Sequence, residues 1–377
     1  MGMTHRERVV MALSLKQPDK VPIDLGGTRD SSIVIEGYDR LCDHFGVEDE
    51  PRITSQMMRV VDVDEQILRA LDVDMRGIFP KTPPITRKGT DCYVDEWGVE
   101  RVKPAGSFYY DQVDFPLAGE ITIRDIATYP WPDPKDPIRT EGLKERVAEI
   151  HQPPECAAVL NLPSGFVHVS QYLRGFEDWF IDLAANRDLI EALFDAVLEV
   201  NMATCEVLLE EIGDEVDVVM ASDDLGLQQG LMMSPKMYRE LIKPRHEKYF
   251  QLMHDMTDAK VFFHTCGSVA DIVDDLIEIG VDVLHPVQAS AAGMDTAWLK
   301  REYGDRLAFW GAVDTQHVLP HGDVEDVKEE VETRIENLGE GGGYVLGAVH
   351  NIQPDVPLEN VLVMYRHARE YVPSFAV

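Results

Sequence analysis

The feature that most narrows the fold is an alternation: short apolar runs, each closed by a polar or glycine-rich cluster and followed by a segment with helical spacing. Strand, loop and helix repeated in that order are the pattern of parallel β/α units. Eight runs carry it: Val21 to Leu25, Met75 to Pro80, Cys156 to Leu162, Val216 to Met220, Lys260 to His264, Val281 to His285, Leu307 to Gly311 and Tyr344 to Gly347. Between the later runs lie amphipathic segments such as Val269 to Ile279, whose apolar residues Val269, Ile272, Val273, Leu276 and Ile279 fall three and four apart. Eight such units predict an α/β fold, a closed (β/α)8 TIM barrel forming a single domain over residues 1–377.

The gap between the second and third runs is too long for one crossover helix. Within it, Cys92 to Val102 has the pattern of a β-hairpin turning near Trp97-Gly98, and Tyr129-Pro130-Trp131-Pro132-Asp133-Pro134 is a rigid connector. An inserted β-hairpin segment is therefore expected after the second strand, over about residues 81–150.

Composition excludes several classes of function. Lys plus Arg number 35 against 68 Asp plus Glu, a formal charge of -33, and the acidic residues are spread along the chain. Such a surface disfavours nucleic acid and anionic membranes as partners. The 5 cysteines are scattered and odd in number, which fits a reducing cytoplasm better than a disulfide framework. The opening residues lack the apolar core of a signal peptide, and no run is long enough to span a membrane. A cytoplasmic protein is expected.

In a barrel of this kind the βα loops at the C-terminal ends of the strands collect the chemistry. The polar residues there are Asp24, Asn161, Asp223, Asp224, His264, Cys266, His285, Gln288, Asp314, His350 and Asn351. The most specific signal is His264-Thr265-Cys266 at the end of an apolar run, an imidazole and a thiol two residues apart on one strand face, followed by a glycine that turns the backbone. That spacing suits one metal ion. No second close-spaced pair of the kind found in fingers and ribbons accompanies it, so the site reads as open, as catalysis by zinc requires. In a closed barrel the end of the eighth run faces the end of the fifth, and His350 can join the pair. Asp223 and Asp224 are candidate catalytic residues, as a further ligand, a general base or a cation-binding pair; capping of the next helix is the alternative. Asn161, Gln288 and Asp314 are candidate substrate-binding residues of the rim. Tyr109, Tyr110, Met232 and Met233 read as core or as lining of the mouth. Gly341-Gly342-Gly343 precedes a strand, not a helix, and reads as a turn. His5, His44, His151, His254 and His321 lack ligand spacing and read as surface residues.

Several of these pieces are shared with a known family. The opening Arg6-Glu7-Arg8-Val9 with Pro18 and Val21-Pro22, the segment Asp223-Asp224 with Gly226, Ser234-Pro235, Tyr238 and Pro244, the run Phe263-His264-Thr265-Cys266-Gly267, and Gly341-Gly342-Gly343-Tyr344 with Pro354, Pro357, Glu359 and Asn360 resemble the uroporphyrinogen decarboxylase superfamily. Within it, the chain is most similar to the branch of zinc-containing, cobalamin-dependent methyltransferases. The resemblance implies zinc held by His264, Cys266 and a third residue at position 350, where this chain has histidine and the thiol-methylating relatives have cysteine. It implies transfer of a methyl group from a methylated small molecule, a methoxylated aromatic or other methyl ether before a methylamine, to the Co(I) corrinoid (cobalamin) of a separate partner protein. A neutral imidazole in place of a thiolate makes the metal more electrophilic and speaks against a thiol acceptor such as coenzyme M. The alternatives are a metal-independent decarboxylase, whose Arg-rich early segment is replaced here by Gly26-Gly27-Thr28-Arg29-Asp30, and a non-catalytic subunit that binds a corrinoid protein. A homodimer is an open possibility.

Overall fold

The computed structural model describes residues 2–48 and 50–376. Seven of the eight apolar runs become strands of one parallel sheet, in the order Tyr344–Ala348, Ala308–Val313, Val283–His285, Lys260–His264, Val218–Ser222, Ala157–Asn161 and Met75–Ile78. These strands are buried along almost their whole length, which is why they read as unbroken apolar runs without alternation. Register is in phase at the centre: His264 lies between Ser222 on one side and His285 on the other.

The first run differs from expectation. Val21 to Leu25 makes a single bridge, Ile23 to Leu346, and no extended strand. Pro22 lacks an N–H and the chain bends at Gly26, so pairing cannot propagate. The segment still closes the barrel. Asp24 N–H donates to Leu346 at 2.8 Å, Leu346 N–H to Pro22 at 2.9 Å, and on the other side Asp74 N–H donates to Ile23 at 3.1 Å. Below this seam the buried Asp74 carboxylate accepts from Ile23 N–H at 2.8 Å and from Arg8 at 2.6 Å, and it pairs with Arg369. His5, which reads as a surface residue in the sequence, lies 2.8 Å from the same carboxylate. The first and last helices, His5–Leu13 and Leu358–Glu370, are thereby tied to the closing seam.

Strand alternation assigns the faces around the site. Phe263 points outward to His246 and Phe250, at ring distances of 5.1 and 5.2 Å. Phe262 and His264 point inward. Phe262 packs there on Trp310, whose indole N–H donates to Asp24 at 2.9 Å. Burial pushes the Asp24 carboxyl up to about 6.

Between the Met75–Ile78 and Ala157–Asn161 strands the chain builds a four-stranded antiparallel sheet of Thr86–Arg87, Cys92–Val94, Glu100–Val102 and Asp111–Asp114. The expected hairpin is its central pair, with Tyr93 opposite Arg101 and the turn closed by Gly98 N–H to Asp95 at 3.0 Å. Trp97 and Trp131 pack edge to face beside it. No helix among the described residues is long and apolar enough to cross a membrane.

Candidate metal centre

Three elements meet at the barrel mouth. The Lys260–His264 strand ends on His264, the following loop carries Cys266, and the chain leaving Tyr344–Ala348 carries His350. One donor atom from each of His264, Cys266 and His350 lies within 4.8 Å of the other two. Cys266 Sγ and His264 Nε2 are 3.4 Å apart. Gly267 makes the loop possible. Its φ is +86°, and a Cβ there would lie 2.5 Å from the carbonyl carbon of Gly226 on the neighbouring loop.

The hydrogen bonds around the imidazoles fit a metal. His264 Nδ1 lies 2.8 Å from His285 Nδ1, and His350 Nδ1 lies 2.9 Å from Asn351 Oδ1. With both Nδ1 atoms protonated and donating, both Nε2 atoms keep their lone pairs for an ion, the usual arrangement of ligating histidines. Tyr109 donates to the same Asn351 oxygen, holding it in place. Burial lowers His264 below its ordinary value, and His285 falls further through burial and its histidine neighbours. The lowered value of His264 favours the neutral ring that ligation requires. The Cys266 thiol is pushed well up by burial, with Asp224 and Asp30 adding to it, so a cation must displace its proton. The donor set of two imidazoles and one thiolate suits zinc with a position left open.

Two carboxylates stand just outside this trio. Asp224 lies 3.6 Å from His264 Nε2 and accepts the Cys266 backbone N–H at 2.8 Å. Asp30 is 3.8 Å from both His264 and His350. His168 Nε2 lies 3.4 Å from Asp224. Burial pulls the His168 imidazole down, but Asp224, Asp223 and Asp30 outweigh it and lift it to about 9. Burial likewise opposes ionisation of Asp224, yet His168 and then His264 hold it far below the usual carboxylate range.

Not every residue expected at the rim reaches the mouth. A cavity of about 1060 Å³ opens above the trio and is lined by Asp224, Asn161, His264 and His350, by Tyr109, one of the residues expected as core or mouth lining, and by Asp30 and His168, which the sequence does not single out. Asp223 turns away from it, accepting from the His168 backbone at 2.8 Å and facing His246 at 3.0 Å. Neither aspartate caps the helix that follows it, which Ser234 caps, but Asp223 accepts an N–H in the first turn of the Phe166–Arg174 helix. Asn161 borders the cavity, with its amide spent on the first loop: Oδ1 accepts from Arg29 N–H at 3.0 Å and Nδ2 donates to Gly27 at 3.0 Å. Gln288 lies behind the metal loop, accepting Gly267 N–H at 2.8 Å. Asp314 accepts the N–H groups of Gln316 and His317 at 2.6 and 2.9 Å, in a local turn outside the cavity lining. Tyr110 and Met232 line the cavity, and Met233 is buried. His168 carries a signal that reading strand ends alone passes over: it sits in the first turn of the Phe166–Arg174 helix, directly after the loop that leaves Asn161.

Fold and site together define a (β/α)8-barrel protein with a His2Cys cluster at its mouth. The family model of uroporphyrinogen decarboxylase (URO-D) matches residues 119–371, and the chain belongs to that family. Among curated relatives, a methylcobamide:CoM methyltransferase, MtaA, from Methanosarcina barkeri is 27% identical over 53% of this chain and 53% of its own length. A uroporphyrinogen decarboxylase from Pseudoalteromonas translucida is 29% identical over 46% of this chain and 50% of its own. The chain thus spans about half the length of the curated relatives it matches. A solved structure of a methyltransferase from Methanosarcina mazei shares the fold, with a TM-score of 0.69, 20% identity, and coverage of 98% of this chain and 99% of that one.

Proposed function

We propose that this chain is a zinc-dependent methyltransferase that moves a methyl group from a methylated small molecule to the Co(I) corrinoid of a partner protein. The observation that carries the reading is the convergence of His264, Cys266 and His350 beneath a large cavity. The M. barkeri relative, named for a reaction of a methylcobamide, supports it. The preferred donor is a methoxylated aromatic or other methyl ether, then a methylamine; Phe79, Tyr109, Tyr172, Met57 and Met232 offer apolar surface in a cavity that charged side chains also line. The 5 cysteines, scattered along the chain, suit a reducing cytoplasm.

Zinc, when bound, would supply Lewis acidity toward the donor's heteroatom. The chain's own side chains do the rest. His264 and His350 present Nε2, and Cys266 presents its thiolate. Asp224 fixes the Cys266 backbone, and His285 and Asn351 orient the two rings. His168, protonated beside Asp224, stands at the cavity wall as a proton donor for the departing heteroatom. On transfer the heteroatom would keep the bonding pair and take the His168 proton, and the partner's corrinoid, when bound, would supply the nucleophile that accepts the methyl group. Holding donor and acceptor in line is the main task.

The test is zinc content of the purified protein and of His264→Ala and Cys266→Ala, followed by methylation of a reduced corrinoid protein across a panel of methoxy compounds. Zinc in the parent only, and methylation lost on chelation, are expected. Turnover untouched by chelators would favour a metal-independent decarboxylase, and binding without any product a non-catalytic corrinoid-protein subunit.

A further inference from the structure

Resting on the reading above, we infer that Gln353 is a positioning residue for the metal centre: through Asn351 it dictates which nitrogen of His350 carries the proton, and so leaves Nε2 open for zinc before any ion arrives. A neutral imidazole ligates through its unprotonated nitrogen, so the tautomer decides whether His350 can serve.

A hydrogen bond between a histidine and an asparagine does not settle that by itself. His350 Nδ1 lies 2.9 Å from Asn351 Oδ1. With the amide turned over, the same contact would be an N–H donated to Nδ1, and the ring's own proton would sit on Nε2. A group that cannot change its role has to break the tie.

That group is a backbone carbonyl. Gln353 Nε2 lies 3.2 Å from the carbonyl oxygen of Asn351, which can only accept. The contact fixes this side of the Gln353 amide as a donor. The same Nε2 lies 2.8 Å from Asn351 Oδ1 and 2.5 Å from the Tyr109 hydroxyl. Asn351 therefore keeps its oxygen toward Gln353, since turning it would set two N–H groups against each other. Tyr109, accepting from Gln353, gives its own proton to that oxygen. The far side agrees: Asn351 Nδ2 points at the Met58 thioether at 3.4 Å, a weak acceptor. The backbone around the amide is held as well, with Val349 N–H donating to Val313 and Ile352 N–H to Ser32, both at 2.9 Å. An oxygen fixed in this way takes the proton of His350 Nδ1.

The arrangement leaves Gln353 Oε1 buried with no partner among the described residues. Turning the Gln353 amide would set that oxygen against two acceptors of Asn351, which is worse than one oxygen left unpaired.

The tautomer is read in the metal-free protein by long-range proton–nitrogen NMR correlation of isotope-labelled histidine, at a pH well above the ordinary imidazole range. Loss of signals in His350→Ala assigns residue 350, and chelator competition reads zinc affinity in parallel. The parent should show Nδ1 protonated and Nε2 bare. Gln353→Glu keeps the shape but replaces the donor with an acceptor. Asn351 should then turn its amide toward the new carboxylate, His350 should shift to the Nε2–H form, and zinc affinity should fall about 10- to 100-fold. Gln353→Leu, which carries the comparison if Gln353→Glu fails to fold, should populate both tautomers. Adding Asn351→Asp to Gln353→Leu should restore the Nδ1–H form, because a carboxylate only accepts. A parent with its proton on Nε2, a tautomer unmoved in the Gln353 variants, or zinc affinity lost while the tautomer stays put each overturns the inference; the last is what a merely structural role would give. An Nδ1–H parent that binds no zinc would sink the zinc reading alone, and zinc bound by a parent of the Nε2–H form would sink the positioning role alone.

Discussion

Replacing His285 with phenylalanine separates metal affinity from fold stability. His285 touches the trio only through its Nδ1, 2.8 Å from His264 Nδ1, and its ring stacks on Phe262 at 4.9 Å and 29°. If His264 donates from Nδ1, the His285 proton sits on Nε2, a buried atom with no partner among the described residues. Phenylalanine keeps the stack and removes both nitrogens. Deleting an unsatisfied buried polar group recovers a desolvation cost of about 1–3 kcal/mol, offset by the bond lost at His264, so stability in the absence of metal should stay within about 1 kcal/mol of the parent. Zinc affinity should fall about 10- to 100-fold, the usual effect of losing the group that orients a ligating histidine. That corresponds to roughly 1.4–2.7 kcal/mol. Chelator-competition titration reads the affinity and denaturant unfolding of the metal-free protein reads the stability. Unchanged zinc affinity, or an affinity loss accompanied by an equal loss of stability, would refute the orienting role.

Asp74→Ala should cost about 1–3 kcal/mol in urea unfolding, because it removes the buried acceptor shared by Arg8, Arg369 and Ile23 N–H, while Arg8 keeps Asp19 and Arg369 keeps Asp72. Burial opposes ionisation of Asp74, but His5, Arg369 and Arg8 hold it below its ordinary value near 4, so its contribution is present above that pH and is lost as pH falls through the lower folded value; the acid limb of stability should flatten in the variant. Gly267→Ala, forced to a φ of +86° with its Cβ 2.5 Å from Gly226, should lose at least about 2 kcal/mol of stability and weaken zinc binding with it. Zinc affinity should rise about tenfold per pH unit through neutrality, because the Cys266 thiol is raised by burial, Asp224 and Asp30 and must shed one proton on binding; a flat profile in a competition assay would contradict that.

The barrel was legible because its strands are buried on both sides and carry continuous apolar residues, and the long gap after Met75–Ile78 betrayed the insertion. Val21 to Leu25 looked like a strand on the same grounds; Pro22 and the bend at Gly26 reduce it to one bridge. His264 and Cys266 stood out because they are close in sequence, and His350 followed from barrel closure. Asp30 and His168 escaped because one lies in an irregular loop and the other on a helix, and only folding brings them beside Asp224 and His264.

Zinc K-edge X-ray absorption on the metal-loaded protein tests the centre most directly. One sulfur at about 2.3 Å with nitrogen or oxygen neighbours near 2.0–2.1 Å is expected, and the sulfur shell should vanish in Cys266→Ser while imidazole scattering halves in His350→Ala. A spectrum with no sulfur neighbour, or one unchanged by His350→Ala, would contradict a metal held jointly by His264, Cys266 and His350.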